Sequence, residues 1–160
     1  MFFRRAKPSP PVIRPLRADK AAACARLHAA DFAHPWTADE IAALIARPTT
    51  LAAAALDPAN GTLRGFVLAR LAADEAEILT IAVDSAARGK GVGRALLAEA
   101  LRQAAHAGAR AMFLEVDERN AAATALYRRL GFVTVGERPG YYCRPDGSRA
   151  AAAIMRKTLA

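Results

Sequence analysis

Ile78-Leu79-Thr80-Ile81-Ala82-Val83-Asp84, then Arg88-Gly89-Lys90-Gly91-Val92-Gly93, then Arg94-Ala95-Leu96-Leu97-Ala98-Glu99-Ala100-Leu101 are the residues on which the fold turns. The first run is apolar and β-branched, and the last is rich in strong helix formers. Three glycines stand between them, where a backbone can approach a ligand with its amides pointing outward. The helix that follows opens with unpaired N–H groups and the positive end of its dipole, which suits phosphate. Arg88, Lys90 and Arg94 add positive charge at the same place. Gly89, Lys90, Gly91, Val92 and Gly93 therefore read as a phosphate cradle. A plain glycine turn flanked by solvated charges fits the same letters.

Working outward, the pattern predicts the order β-α-α-β-β-β-α-β-α-β-β. Val12 to Leu16 reads as a short first strand, with Pro15 near its end. Asp19 is placed to cap a helix through Ala22, Leu27 and Ala30. Thr37 followed by Glu40 is a capping box for a second helix, Ala38 to Ala46. Leu51 to Leu56, Leu63 to Leu71 and Ala76 to Val83 form a meander, its first turn marked by Asp57-Pro58-Ala59-Asn60-Gly61. The helix after the glycine loop runs to about Ala107, where Gly108 stops it. Ala111 to Val116 is apolar on both faces and so central. Asn120 caps a helix from Ala121 to Leu130. A strand begins at Phe132 to Val135, and Ala150 to Met155 is the last, with a turn at Pro145 to Gly147. Residues 1–10 read as a basic, mobile tail, and 11–160 as one domain.

Bulk properties exclude several classes. The 160 residues carry a net charge of +8, with 6% aromatics. The charge points to an anionic partner, but it is not gathered into a stripe with interleaved aromatics, so direct nucleic-acid binding is not expected. No apolar run reaches the roughly 20 residues that span a bilayer. No apolar segment follows Met1 to Arg5 as a secretory signal needs. Cys24 and Cys143 stand alone, Cys24 as a small buried hydrophobe, and His28, His34 and His106 show no metal spacing. We expect a cytoplasmic protein without a metal site.

Downstream of the loop lie Leu114-Glu115-Val116-Asp117-Glu118-Arg119-Asn120, Ala125-Leu126-Tyr127 and Leu130-Gly131-Phe132. With Arg88-x-x-Gly91-x-Gly93, these resemble the GNAT superfamily of acyl-CoA N-acyltransferases. His34-Pro35-Trp36-Thr37, Ile81-Ala82-Val83-Asp84 and Arg138-Pro139-Gly140-Tyr141-Tyr142 with Pro145-Asp146-Gly147 look like its RimI-type branch, over roughly residues 12 to 157. The chain lacks the Gln often found at Arg88, and its basic tail is unusual.

The resemblance implies a mixed, mostly antiparallel sheet of six to seven strands, helices on both faces, and a splayed central strand pair. It implies acetyl-CoA as co-substrate, its pyrophosphate on the glycine loop. Its pantetheine arm would lie along the backbone of Ile81, Ala82 and Val83, and Asn120 would touch it. It assigns Glu115 as general base and Tyr127 as the acid that protonates the CoA thiolate, with Glu75 and Glu77 as rival bases. Trp36, Tyr141 and Tyr142 would wall the substrate channel. The implied substrate is a protein N-terminus, the alanine of a small-subunit ribosomal protein, acetylated directly by a monomer. Two other readings stay open: a GNAT enzyme acting on a small amine, and a basic RNA- or ribosome-binding module with a vestigial cleft.

Overall fold

The computed structural model describes residues 9–143 and 146–159, so most of the basic tail and part of the Pro145 to Gly147 turn lie outside the described residues. Among the described residues, seven strands and four helices follow the expected order. They are β1 (Val12–Pro15), α1 (Ala21–Asp31), α2 (Ala38–Ile45), β2 (Thr50–Leu56), β3 (Leu63–Ala72), β4 (Glu75–Val83), α3 (Val92–His106), β5 (Ala111–Asp117), α4 (Ala121–Arg129), β6 (Val133–Cys143) and β7 (Arg149–Thr158).

Local chemistry sets most boundaries. The Thr37 hydroxyl accepts the Glu40 N–H at 3.2 Å, and Glu40 accepts the Thr37 N–H at 2.8 Å, so α2 starts on a closed capping box. Asn120 accepts the Ala123 N–H at 3.1 Å and starts α4. Asp19 does not cap α1. It sits inside a 3-10 turn, Ala18–Lys20, that runs straight into the helix, so no break is left for a cap to fill.

The sheet order is β1-β2-β3-β4-β5-β7-β6, antiparallel throughout except for β4 and β5. That parallel pair is joined only at Glu75–Ala111, Ala76–Met112 and Glu77–Phe113. Beyond Glu77 the two strands part. A bulge in β4 marks the place: Leu68 pairs with Thr80 and Ala69 with Ile78, leaving Leu79 over. The extra residue changes which side chains face which layer and strengthens the local twist. Ala76 and Ile78 face α3, whereas Ala82 faces α1 and α2.

Each sheet face buries its own core. Leu96 and Leu97 of α3 pack with Met112, Leu114, Met155 and Phe132 on one side. Ile41, Cys24, Phe66 and Leu68 fill the other, beneath α1 and α2. Ala53, Ala54 and Ala55 make β2 a strand of low intrinsic propensity, yet all three are buried, and burial between two layers decides the outcome. Gly65 on β3 lets α3 lie close. A Cβ there would stand 2.9 Å from the Ala82 carbonyl oxygen and 3.0 Å from Leu96 Cδ1. β6 is eleven residues long, more than its opening letters suggest, because two register breaks, at Thr134/Gly136 and Arg138/Tyr142, carry it past Gly136 and Pro139.

Candidate active site

The glycine loop delivers β4 into α3. Gly91 takes φ +81 and occupies the N-cap position without any side-chain hydrogen bond to the helix. The first helical bond runs from the Ala95 N–H to the Gly91 carbonyl, so the N–H groups of Val92, Gly93 and Arg94 have no acceptor within the helix. A fifteen-residue helix thus begins uncapped, its first amides open to an anion. Gly93 adds a second sign. A Cβ there would meet Leu126 Cδ2 at 3.5 Å and Val83 Cγ2 at 3.8 Å, ordinary contacts. The protein's own packing does not require glycine at that position.

Cationic side chains around the loop are not equivalent. Lys90 and Arg94 are exposed. Lys90, Gly89 and Val92 border a cavity of about 540 Å³ shared with the β2–β3 turn, where Arg64 is held by Asp57 at 3.1 Å and Asp84 at 2.9 Å. The Arg64 guanidinium keeps both carboxyls below their ordinary range: hydrogen bonds from Arg64 lead at Asp84, and the Ala59 N–H leads at Asp57. Arg88 is already engaged. It pairs with Asp31 at the end of α1, and its Nε donates to the Val83 carbonyl at 3.3 Å. It clasps α1 to the end of β4 instead of projecting freely beside the glycines.

Glu115 stands on β5 at the opening between β4 and β5. Its neighbours Leu114 and Val116 face the α3 core, so its side chain lies on the opposite face, with Phe113. A cavity of about 270 Å³ runs down that face, lined by Glu115, Phe113, Glu77, Glu75, Arg70 and Ile154 among others. Glu77 is tied to Arg70 at 3.0 Å. The β6–β7 hairpin grips Glu115 twice: Arg138 Nη1 meets its carboxylate at 2.6 Å, and the Tyr142 hydroxyl donates to its backbone carbonyl at 3.0 Å. Tyr141 packs edge-on to Tyr142, and the Arg138 guanidinium lies 4.1 Å over the Tyr141 ring. Burial first, then the charges of Glu115, Tyr141, Tyr127 and Asp117, push the Tyr142 phenol up.

Tyr127 comes from α4, 7% exposed, edge-on to Phe132. Burial pushes its phenol up to about 12, so it is a neutral proton donor at physiological pH. Its neighbour Leu126 faces Gly93, which sets α4 against the start of α3. Ile81, Ala82 and Val83 lie on the part of β4 that β5 has left, so their backbone edge on that side has no partner strand. Trp36 is half-buried in the α1–α2 connection, stacked on His28, which also stacks on Phe32. The Trp36 N–H donates to His28 Nδ1 at 3.1 Å, fixing that nitrogen as an unprotonated acceptor. Desolvation holds His28 below its ordinary value.

Thus the structure brings Tyr142 onto Glu115 with Tyr141 packed against Tyr142, and puts Tyr127 on α4, the helix that Asn120 caps and whose Leu126 faces Gly93. Trp36 sits on a separate wall. Arg138, which contacts the Glu115 carboxylate, is not among the candidates read from the sequence. Arg138 belongs to the motif with the two tyrosines, and that adjacency was the available signal. Among the described residues no group of three His, Cys, Asp or Glu side chains is placed to hold a metal ion, and no helix is long and apolar enough to cross a membrane.

Acyl-CoA N-acyltransferases are built on this sheet. Residues 21–132 match the model of the acetyltransferase (GNAT) family, and the chain belongs to that family, closely related to its bS18-alanine N-acetyltransferase branch. The ribosomal protein bS18-alanine N-acetyltransferase of Escherichia coli is 41% identical over 96 residues, 60% of this chain and 64% of that protein. The N-alpha-acetyltransferase RimI of Mycobacterium tuberculosis is 45% identical over 95 residues, 57% of this chain and 58% of that protein. The chain therefore spans less than two thirds of these curated relatives in sequence. The crystal structure of the Escherichia coli enzyme superimposes with a TM-score of 0.84 at 31% identity, covering 94% of each chain.

Proposed function

We propose that this chain transfers the acetyl group of acetyl-CoA to the α-amine of a protein N-terminus, the N-terminal alanine of a small-subunit ribosomal protein. The observation that carries this reading is the position of Glu115. It stands where β4 and β5 part, under the hairpin that bears Arg138, Tyr141 and Tyr142. A chain end arriving from that face meets a thioester threaded from the α3 side. The glycine loop and the uncapped start of α3 hold the pyrophosphate, and the free edge of Ile81, Ala82 and Val83 pairs with the pantetheine amides as an added strand would. Asn120 borders the same ligand. Tyr141, Tyr142 and Trp36 wall the peptide.

The chemistry is direct transfer. The amine nitrogen attacks the thioester carbonyl, a C–N bond forms and the C–S bond breaks. Glu115 takes the amine proton through a water, and Tyr127 gives its proton to the departing thiolate. Tyr127 is protonated and packed, as that role needs. Solvent then restores both groups. In this reading the protein works in the cytoplasm as a monomer, since one chain carries every residue the mechanism uses.

One observation favours a second reading. The cavity below Glu115 also carries Glu75 and Glu77, and extra carboxylates suit a small polyamine. CoA release separates the two, measured with peptides of varied first residue, with spermidine and with an aminoglycoside. Turnover with alanine-start peptides alone supports the first reading; turnover with spermidine alone sinks it. Glu115→Gln should abolish turnover while Glu77→Gln keeps it, and the reverse pattern moves the base to β4.

A further inference from the structure

We propose that Arg138 is a positioning residue that neutralises Glu115 in the resting site, so that the site takes the substrate amine in its unprotonated, nucleophilic form. The inference rests on the reading of Glu115 as the proton acceptor. An N-terminal amine has a pKa near 8 and is mostly ammonium at neutral pH. Ammonium has no lone pair and cannot attack a thioester. A bare carboxylate at the docking point stabilises that unreactive form, because an opposite charge within about 4–6 Å favours ionisation by one to three units. A base placed for this reaction therefore needs its charge balanced until the amine has docked.

Arg138 supplies that balance. Its Nη1 lies 2.6 Å from the Glu115 carboxylate, and the ring of Tyr141 supports the guanidinium from the other side. The residue sits at the second register break of β6, opposite Ala152, where the strand leaves its regular ladder. Its side chain is 51% exposed against 19% for Glu115, so the arginine can swing outward while the glutamate stays in place. The remaining groups on this face do not replace it. Glu77 is paired with Arg70, Arg156 of β7 lies over the Phe113 ring at 5.7 Å and donates to the Thr158 hydroxyl instead of to Glu115, and Glu75, Asp117, Tyr141, Tyr142 and the Tyr127 phenol bring no positive charge. Arg138 is the only cation that touches Glu115 among the described residues.

The test is the pH profile of kcat from pH 6 to 9.5, with saturating acetyl-CoA and an alanine-start peptide, for wild type, Arg138→Met and Arg138→Lys. The acid limb of kcat reports ionisation in the bound complex. In Arg138→Met it should move alkaline by about one unit, so that kcat drops about tenfold at pH 7 and recovers by pH 9. The peptide KM at pH 7 should fall, the acetyl-CoA KM should hold, and Arg138→Lys should keep the wild-type limb. A limb that stays put in Arg138→Met overturns the inference. So does a loss of the same size at every pH that Arg138→Lys shares, since that describes a merely structural arginine. Glu115→Gln is run alongside. If it keeps turnover, the reading of Glu115 fails and this inference goes with it. If it loses turnover while Arg138→Met leaves the limb unmoved, the inference alone fails.

Discussion

Replacing Gly93 by alanine should make the protein more stable and a worse binder of acetyl-CoA. Gly93 is the second residue of α3, and its φ lies outside the left-handed region. A methyl group there finds only ordinary contacts with Leu126 and Val83. Glycine in a helix interior is about 0.8–1 kcal/mol worse than alanine, and somewhat less is at stake in the first turn. A gain of ~0.5–1 kcal/mol, set against an unfolding entropy of roughly 2.1 cal/mol/K per residue, raises Tm by about 1.5–3 °C for a chain this long. Binding should move the other way. In the proposed binding mode the pyrophosphate lies against the Val92, Gly93 and Arg94 amides, a methyl on Gly93 would hold it off, and a hydrogen bond to a charged group contributes about 1.5–3 kcal/mol. Loss of one such bond weakens binding by about tenfold or more. Calorimetric melting of the ligand-free protein and titration with acetyl-CoA measure the two effects separately. A drop in Tm refutes the packing argument. A rise in Tm with unchanged affinity refutes the placement of the pyrophosphate.

Other substitutions probe the scaffold and the chemistry. Gly65→Ala puts a methyl 2.9 Å from a backbone oxygen and 3.2 Å from Val92 Cγ1, an overpacking that costs ~1–3 kcal/mol and should lower Tm by several degrees in a thermal scan. Tyr127→Phe should cut kcat by about 10²–10⁴-fold with Tm little changed, as measured by CoA release and melting; full activity would remove Tyr127 from the mechanism. His28 gives an acid-side signature. Its pKa is lowered by burial, so below about pH 6.5 the unfolded chain takes up a proton that the folded chain refuses. Stability should be complete above that pH and fall as pH drops toward the lowered folded value. Urea unfolding at pH 7.5, 6.5 and 5.5 reads the slope, and His28→Gln should flatten it.

The parts of this site that could be read in the letters are those set by neighbours in the chain. The turn at Gly89 to Gly93, the Thr37–Glu40 box and the Asn120 cap each depend on residues within a few positions of one another, and each stands where the pattern placed it. The parting of β4 and β5 was expected only through the family likeness, because the bulge at Leu79 has no distinctive residue to announce it. Arg138 reaches Glu115 across 23 positions, through a strand with two register breaks. A shift of one residue in β6 would send that guanidinium to the other face. The pairing of Arg88 with Asp31 was equally illegible, because the two stand 57 positions apart. Asp19 misled for a different reason: it has the right chemistry for a cap, but the 3-10 turn around it leaves no helix end to cap.

Among the described residues, three register pairs and the Arg110 N–H donating to the Asp74 carbonyl at 2.6 Å stitch the β1–β4 half of the sheet to the β5–β7 half by backbone bonds, all at one end of the seam. The sheet is two rafts moored at one end. Above the mooring each raft presents unmatched backbone to the gap, and whatever lies in the gap and bonds to both becomes the rest of the seam. In the proposed binding mode a donor arm seated there would do mechanical work as well as chemical work, setting the spacing of the rafts and with it the span from the loop on one raft to Glu115 on the other. Deuterium exchange at Ile81, Ala82 and Val83 should therefore slow together with exchange on the facing edge of β5 when acetyl-CoA binds. On that binding mode, stiffness of the sheet and hold on the donor become two measurements of the same contact.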